Sequence, residues 1–520
     1  MNISNPFSKF DKNIAFFRVD SSADIGGGHL FRCLNLAQQL HHNNFDIVFI
    51  CKNLAGNQND KITALGYELR CLNEDENQPF DPDIDAKATA SLIEQYHGSN
   101  VGRLLLTDHY QINGDWYRYI IPMVNLTIAI DDLANRTLPV DIVVNTGLST
   151  THHDYVPWTN PDTTLLLGSK YTMLNSSFAK YRTTVEEKSN PDINNILIFF
   201  GTSDPKEHVL LTLAALQMWP EYHNYHWTIL LSEQAKHFNK VSSAVLQDFP
   251  DIKLSKFEAD MAEFLSQFDL VIGANGINSF ERCVLGIPAI TLNAADNQQE
   301  NAQTLSKLNA ILVVDEQPEA LEKAMINAIE KIIHTPKLYQ QMQQSALKVC
   351  DHLGIERIIK SILSMRLRAK LISATQQQLN ILYDWQTSPQ TRQFSRNPKP
   401  PTIEEHTQWY NALLKDSNRQ LYFVEQANTL VAMVRIDFNQ HTKNYENEIS
   451  IIVSPSARNQ GIGQLALQLI RQRYNHLSLS AYIQNEHKRS IKLFEQCGYK
   501  NVANCWYINP RKDTHEQDNH

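Results

Sequence analysis

Short apolar runs alternate along this chain with stretches whose apolar positions recur three and four residues apart. Ile14–Val19, Ile47–Cys51, Leu104–Thr107, Leu126–Ile130 and Ile142–Val144 read as buried strands, and Leu30–Leu40 has the clearest helical spacing between them. That alternation predicts βαβ units around a parallel sheet. A polar stretch, Thr183–Asn195, reads as a loop, after which the alternation restarts. It runs through strand Ile196–Phe200, helix Val209–Trp219, strand Trp227–Leu231, helix Lys240–Asp248, strand Leu270–Ile272, helix Ser279–Leu285 and strand Ala289–Leu292. Glu319–Ile332 and Lys337–Met365 read as long closing helices. From about Leu371 the rhythm changes. Leu421–Glu425, Val431–Phe438 and Glu448–Val453 read as antiparallel strands, followed by a glycine loop, helix Gln464–Tyr474, strand Leu477–Ile483 and helix Ser490–Cys497.

The fold class is therefore α/β: a GT-B-like pair of Rossmann-like halves with a hinge between them, then a separate α+β unit. The boundaries fall at 1–180, 181–366 and 367–513. In such paired sheets the ligand lies in the crevice at the carboxyl ends of the strands.

Composition narrows the class. The chain has 520 residues, 42% of them hydrophobic, and carries 56 acidic against 47 basic residues for a net charge of −9. That balance gives no electrostatic basis for a nucleic-acid or anionic-membrane partner. Seven cysteines without a CxxC pair fit reduced thiols in the cytoplasm rather than a disulfide framework or a metal site. No run reaches about 18 apolar residues, and the polar start, Met1–Asn13, has no leader-like apolar core. Arg511–His520 reads as a frayed tail.

The first chemical site is the segment Asp20–Cys33, DSSADIGGGHLFRC, which joins the first strand to its helix. Gly26, Gly27 and Gly28 let the backbone approach a ligand, and the following helix offers unpaired N–H groups. The spacing is not GxGxxG, so a dinucleotide fold is not indicated. His29 stands in the first helical turn at a strand's carboxyl end, where a general base is useful. Two further strand ends carry Asp108-His109-Tyr110 and Asp131-Asp132, which otherwise read as helix caps.

In the second half, Gly276 follows Leu270–Ile272 and opens a helix through Asn278, Ser279 and Glu281. That amino terminus suits a diphosphate, and Glu281 can accept both ribose hydroxyls. Gly201–Pro205 and Asp296–Ala302, the latter with Asn297, are further cleft loops. DxD spacing occurs at Asp81-Pro82-Asp83-Ile84-Asp85, read as a loop with no metal role.

RVDSSADIGGGHLFRCLNLA, LTDHY, AIDD, FFGTSDP, GANGINSFERCVLGIP and NAADNQQENA occur in order over residues 14–315. This set resembles the UDP-sugar hydrolase family of pseudaminic acid biosynthesis, which is similar in fold to the N-acetylglucosaminyltransferase of peptidoglycan synthesis. One departure is Phe200, where the family has a glycine. The resemblance implies hydrolysis of UDP-2,4-diacetamido-2,4,6-trideoxy-β-L-altropyranose to UDP and free sugar, with inversion and without a metal. On that reading His29 activates water beside Tyr110. Asp20, Gly27, Gly28, Asp108, Gly276, Asn278, Ser279, Glu281 and Asn297 hold the UDP-sugar. A true glycosyltransferase of the same fold is the alternative.

In the third unit Glu448–Val453 leads through Ser454–Ala457 into Arg458-Asn459-Gln460-Gly461-Ile462-Gly463 at a helix start. Gly461 and Gly463 free backbone N–H groups to wrap a pyrophosphate. The run matches R/Q-x-x-G-x-G/A and resembles the acetyl-CoA loop of the GNAT N-acetyltransferases, with Asn485, Ser490, Phe494 and Gly498-Tyr499 at the expected spacings. The resemblance implies acetyl-CoA as co-substrate, a thioester polarised by an N–H near Val453, and Glu448 as base, with Glu446 as the alternative. Phe494 stands where many relatives have an acidic Tyr, leaving Tyr482, Tyr499 or solvent to protonate the thiolate. The acceptor implied by the fusion is the 4-amino group of a UDP-linked amino sugar. The alternatives are another amino sugar or a module that only binds CoA.

Overall fold

The computed structural model describes residues 5–72, 80–96, 100–186, 193–201, 204, 206–256, 260–276, 278–292, 299–314, 320–365, 367, 369–426, 429–438 and 447–510. Three sheets organise it. The first contains β1 Lys12–Val19, β2 Phe45–Lys52, β3 Glu68–Leu72, β4 Val101–Asp108, β5 Leu126–Ile130, β6 Ile142–Asn145 and β7 Thr164–Leu167. Its order is β3-β2-β1-β4-β5-β6-β7, with parallel register from β1 to β3 and from β4 to β7. The winding reverses between β1 and β4, which makes the loops after Val19 and Asp108 the switch point of a doubly wound sheet.

The second sheet repeats the plan with β8 Asn195–Phe199, β9 His226–Leu230, β10 Lys253–Ser255, β11 Leu270–Gly273, β12 Ala289–Leu292 and β13 Ile311–Val314, in the order β10-β9-β8-β11-β12-β13. Its central strands are largely apolar because both faces are covered. Ile196, Ile198, Ile272 and Ile290 enter one core, whereas Leu197, Phe199, Val271 and Ala289 enter the other. Phe200 joins the first of these cores and packs on His208 with ring centroids 5.0 Å apart.

The third sheet has β14 Ala369–Ser373, β15 Arg419–Gln426, β16 Thr429–Asp437, β17 Glu448–Val453, β18 Leu479–Tyr482, β19 Lys500–Ala503 and β20 Trp506–Asn509, in the order β14-β15-β16-β17-β18-β20-β19. It is antiparallel except at β17 and β18, which register in parallel at the pair Glu448↔Ser480. Beyond that pair the two strands part. The chain forms two compact units, one built on the first two sheets and the other on the third.

The apolar pattern located the central strands and missed the edges. The strands that end the three sheets are β3, β7, β10, β13, β14 and β19; all but the apolar β13, Ile311–Val314, carry no long apolar run, and β13 was overlooked despite one. An edge strand has less to bury; β3 and β19 are largely exposed or half-buried. β20 was missed as well.

Three local readings are corrected. Helix Ser177–Glu186 extends into the stretch read as a loop from Thr183. The Asp81–Asp85 run opens helix Pro82–Glu94, with the Asp81 carboxylate accepting from the amides of Asp83 at 2.8 Å and Ile84 at 3.1 Å. The single helix expected over Lys337–Met365 is broken into Pro336–Val349 and Gly354–Ser364.

The break has a physical cause. Asp351 accepts from the Leu353 amide at 2.9 Å and from both Nη atoms of Arg357 at 2.6 and 2.7 Å. Arg357 also donates to the Lys170 carbonyl at 2.8 Å, and Gly354 lies against the Thr172 backbone. The last helix is thereby docked on the first half. An added Cβ at Gly354 would stand 2.1 Å from the Thr172 oxygen. Gly354→Ala is therefore expected to destabilise the paired sheets by about 1–3 kcal/mol, read as a lower denaturation midpoint; an unchanged midpoint would contradict the packing argument.

Candidate functional site

The first site grows out of helix Gly28–His42, whose opening turn follows β1. His29 and Arg32 are one turn apart, so both face the carboxyl end of β4. There the buried Asp108 meets His29 Nδ1 at 2.7 Å and accepts from Arg32 Nε at 2.5 Å and Nη2 at 2.6 Å. Arg32 continues to Asp132, donating from Nη1 at 3.1 Å and Nη2 at 2.8 Å. Tyr110 donates to Asp132 at 3.1 Å, and its ring meets His29 edge-on with centroids 4.7 Å apart.

Burial pushes the Asp108 carboxyl up, but Arg32 and His29 outweigh it and hold Asp108 well below the usual carboxylate range. An ionised Asp108 can only accept, so the neutral form of His29 carries its hydrogen on Nδ1, with the lone pair on Nε2. In this tautomer the 3.1 Å approach of Arg32 Nη2 to Nδ1 sets donor against donor and is not a bond. Two carboxylates share one guanidinium, so a proton arriving on His29 finds compensating charge.

A second network lies beside the first. Arg18, fully buried, donates to Asp20 at 2.7 and 2.9 Å and to Asp85 at 3.1 and 2.6 Å. The Lys52 amide donates to Asp20 at 2.7 Å, His109 Nε2 is 3.3 Å from it, and Trp116 donates to Asp85 at 2.7 Å. The Asp20 carboxylate is thus engaged inside the protein and acts as a strut beneath the Ser21–Gly28 loop. Burial raises Asp20, but Arg18 and His109 bring it below the ordinary range. Arg32 was not singled out in the sequence and Asp85 was read only as part of a loop, because arginine in a helix and aspartate in an apparent loop carry no local signal of a buried partner.

Asp131 does not cap a helix. It accepts from the Ala134 amide at 2.8 Å, Arg136 at 2.6 Å and Tyr155 at 2.7 Å, holding the loop after β5.

In the second half, Ala274–Gly276 follows β11 into the short helix Asn278–Val284. The Ser279 hydroxyl accepts from Arg282 at 3.3 Å. Glu281 Oε2 and both side-chain polar atoms of Asn275 are buried without a hydrogen-bond partner among the described residues. Burial raises Glu281, against a smaller opposing pull from Arg282, to about 7. Asn297, Thr202, Ser203 and Pro205 lie outside the described residues. The two carboxyl-end regions meet where the Leu148 amide, after β6, donates to Asn301 Oδ1 at 3.4 Å.

In the third unit Gly461 has φ +75° and caps helix Ile462–Arg473. Leu465 N donates to Gly461 O at 3.1 Å, so the amides before it have no helical partner. Gly463 has a structural reason as well: a Cβ there would lie 2.7 Å from Leu493. Arg458 donates inward to Thr391 at 2.9 Å, Gln460 donates to the Ser456 carbonyl at 3.0 Å, and Arg489 bonds Asn459. Asn485 donates to Asn504 at 2.9 Å and Ser490 Oγ lies 3.3 Å from His487 Nε2. Val453 ends β17 opposite Ala432, on the parting strand. Glu448, at the root of the parting, pairs with Arg396 at 2.8 Å. Tyr499 is buried against Phe494 with centroids 5.0 Å apart, and burial raises its pKa. Tyr482 is only half-buried, so of the two tyrosines it is the more accessible. Glu446 lies outside the described residues.

Comparison with known proteins finds two family matches along the chain. Residues 195–358 match the glycosyltransferase family 28 C-terminal domain, and residues 379–499 match the acetyltransferase (GNAT) family. The chain thus joins a GT-B-like domain pair, whose second half is like the family 28 C-terminal domain, to a GNAT-type domain. An uncharacterized protein of Methanocaldococcus jannaschii is 25% identical over 503 residues, covering 93% of this chain and 96% of its own. The spore coat polysaccharide biosynthesis protein SpsG of Bacillus subtilis is 25% identical over 197 residues, 38% of this chain and 57% of that one. The UDP-N-acetylglucosamine–N-acetylmuramyl-(pentapeptide) pyrophosphoryl-undecaprenol N-acetylglucosamine transferase of Bacillus licheniformis is 26% identical over 182 residues, 34% and 49% of the two chains. The chain spans about half the length of these last two relatives. No described helix is long and apolar enough to cross a membrane, and the described residues contain no metal-ligating cluster.

Replacing Arg32 by Met leaves Asp108 buried without its counterion, and is expected to cost about 3–5 kcal/mol near neutral pH. In the parent, Asp108 lies below its unfolded value, so its contribution is complete above the carboxylate range and fades only as pH falls through the folded value. In the variant the unpaired Asp108 rises, and mild acid relieves the penalty by protonating it. Denaturant unfolding at pH 7 and pH 5 should therefore show a smaller loss at the lower pH.

Proposed function

We propose that this chain acts twice on UDP-linked amino sugars in the cytoplasm. The GNAT domain transfers acetyl from acetyl-CoA to the 4-amino group. The domain pair then hydrolyses the resulting UDP-2,4-diacetamido-2,4,6-trideoxy-β-L-altropyranose to UDP and free sugar, a step of pseudaminic acid formation. The observation that carries the hydrolytic half is His29, oriented through Nδ1 by Asp108 with Nε2 available. Water attacks the anomeric carbon as the bond to the UDP oxygen breaks. The water proton passes to His29 Nε2, and the electron pair leaves with UDP. Tyr110, on the His29 ring edge, bounds the water site. Gly27 and Gly28 let the sugar approach the helix start, while Asp108 acts through His29.

Gly276, Asn278, Ser279 and Glu281, with Asn297, hold the UDP. The unpartnered Glu281 Oε2 and Asn275 amide are supporting observations, because a ribose offers the missing donors. In the GNAT domain the free amides around Gly461–Gly463 receive the acetyl-CoA pyrophosphate. The acceptor nitrogen bonds to the thioester carbon, the C–S bond breaks, Glu448 takes the amine proton through water, and Tyr482 or solvent protonates the thiolate. The match to a biosynthetic polysaccharide protein supports a sugar pathway. The transferase relative favours a second reading, in which a sugar hydroxyl replaces water.

Product analysis separates these readings. With the UDP-diacetamido sugar alone, UDP and free reducing sugar are expected, and His29→Gln should slow their release about 10²–10⁴-fold. Undiminished release by that variant, or UDP release only when a sugar acceptor is added, would overturn hydrolysis. With the UDP-4-amino sugar and acetyl-CoA, free thiol and an acetylated sugar are expected; absence of thiol would remove the acetyl-transfer half.

Nucleotide binding should also titrate. Glu281 is raised in the free protein to about 7, so this group favours the folded state below the ordinary carboxylate range and loses that contribution as pH rises through 7. Ribose hydroxyls donate to the carboxylate form. UDP-sugar affinity is therefore expected to increase roughly tenfold from pH 6 to pH 8, with about one proton released on binding at the lower pH. Glu281→Gln should flatten the profile, as read by calorimetry in buffers of different ionisation enthalpy.

A further inference from the structure

The root of the parting between β17 and β18 holds a cluster that the acetyl-CoA loop does not use. Arg396 donates to Glu448 Oε1 at 2.8 Å. Its guanidinium also lies over the Tyr482 ring, 4.2 Å from the centroid, and 5.4 Å from the centroid of Trp506. The two rings meet edge to face, 5.6 Å apart at 76°. Two aromatic faces and a carboxylate are the parts of a cation cage.

The cage is fixed while its occupant is not. Tyr482 pairs with Trp506 across β18 and β20, and Glu448 pairs with Ser480. Arg396 comes from a loop after the short helix Pro389–Arg392, and its side chain is 52% exposed against 11% for Glu448. The loop backbone is pinned independently. Gln484 donates to the Ser395 carbonyl at 3.2 Å, and Phe394 stacks on His487 at 4.1 Å and 4°. The guanidinium can therefore swing into water without freeing the loop. Its departure leaves a mostly buried carboxylate facing two rings, an arrangement that calls for another cation.

We propose that Tyr482, Trp506 and Glu448 form the subsite for the acceptor's ammonium group, and that Arg396 is an internal stand-in which the acceptor displaces. This rests on the acetyl-transfer reading for its catalytic meaning but not for its test. The substrate class is a primary amine that arrives protonated. Glu448 then removes one proton through water, the neutral nitrogen attacks the thioester carbon as the C–S bond breaks, and the further proton shed by the new amide nitrogen passes through water to the departing thiolate. Arg396 is a specificity-determining residue, since only a cation that competes with a guanidinium enters.

The experiment titrates tetramethylammonium, which cannot be acetylated, into the full chain by calorimetry. Removing the stand-in in Arg396→Ala is expected to tighten binding at least about tenfold, within the range of desolvated cation–π contacts. Adding Trp506→Ala or Glu448→Gln to that variant should abolish the gain. Equal or weaker binding by Arg396→Ala than by the parent would overturn the proposal, as would a gain that survives both added substitutions. Acetyl-CoA affinity, measured alongside, reports an intact fold; should Arg396→Ala lose it, Arg396→Met keeps the aliphatic stem and is judged by the same outcomes. A parent chain that fails to bind acetyl-CoA would remove the acetyl-transfer reading and leave the cage judged by tetramethylammonium alone.

Discussion

The sharing of Arg32 between Asp108 and Asp132 is the interaction on which the first site depends. A buried aspartate at the end of a parallel strand is costly unless a cation meets it, and here the cation comes from the helix that also carries His29. One guanidinium therefore joins the first helix, the end of β4 and the loop after β5. Imidazole orientation follows from it: Asp108 stays ionised, and an ionised Asp108 fixes which nitrogen of His29 bears hydrogen. The adjacent Arg18 network repeats the device one layer deeper, with Asp20 and Asp85 as the two carboxylates. Together they make the switch point of the first sheet a stiff, charge-balanced floor beneath a loop of small residues.

Much of this was legible in the chain, for reasons that differ by element. Central strands such as Leu126–Ile130 and Ala289–Leu292 were found at their observed bounds because burial on both faces demands uninterrupted apolar residues. Edge strands such as β3 and β19 were invisible because that demand is relaxed, whereas the apolar edge strand β13 was overlooked. His29 was legible from its position in the first turn of a helix after a strand. Its dependence on Arg32 was not, since the partners lie 76 and 100 residues away. Asp20 appeared as a ligand group from its place at a strand end, yet Arg18, two residues before it, had already engaged its carboxylate. Residue type and placement announce a site; which polar atoms remain available is decided by pairing across the fold.

The third unit shows the same distinction in its glycine loop. Gly461 adopts a left-handed conformation that frees the helix start, whereas Gly463 also answers to the close approach of Leu493. A motif read as a single device thus contains one residue placed for an open backbone and one constrained by helix packing. The parting of β17 from β18 gives that loop its neighbour, because a sheet that separates after one registered pair leaves strand amides facing a gap.

The break before Gly354 has a mechanical consequence. The chain passes between the two Rossmann halves twice, and the contact of Gly354 with Thr172 brings the outgoing and returning crossings together. The halves meet again where the Leu148 amide reaches Asn301 and the Leu148 side chain packs on the core of the second half, so the crossings are one of two ties between them. A rotation of one half against the other about Thr172 and Gly354 would have to release the Leu148–Asn301 contact, so the two ties together fix the angle between the sheets.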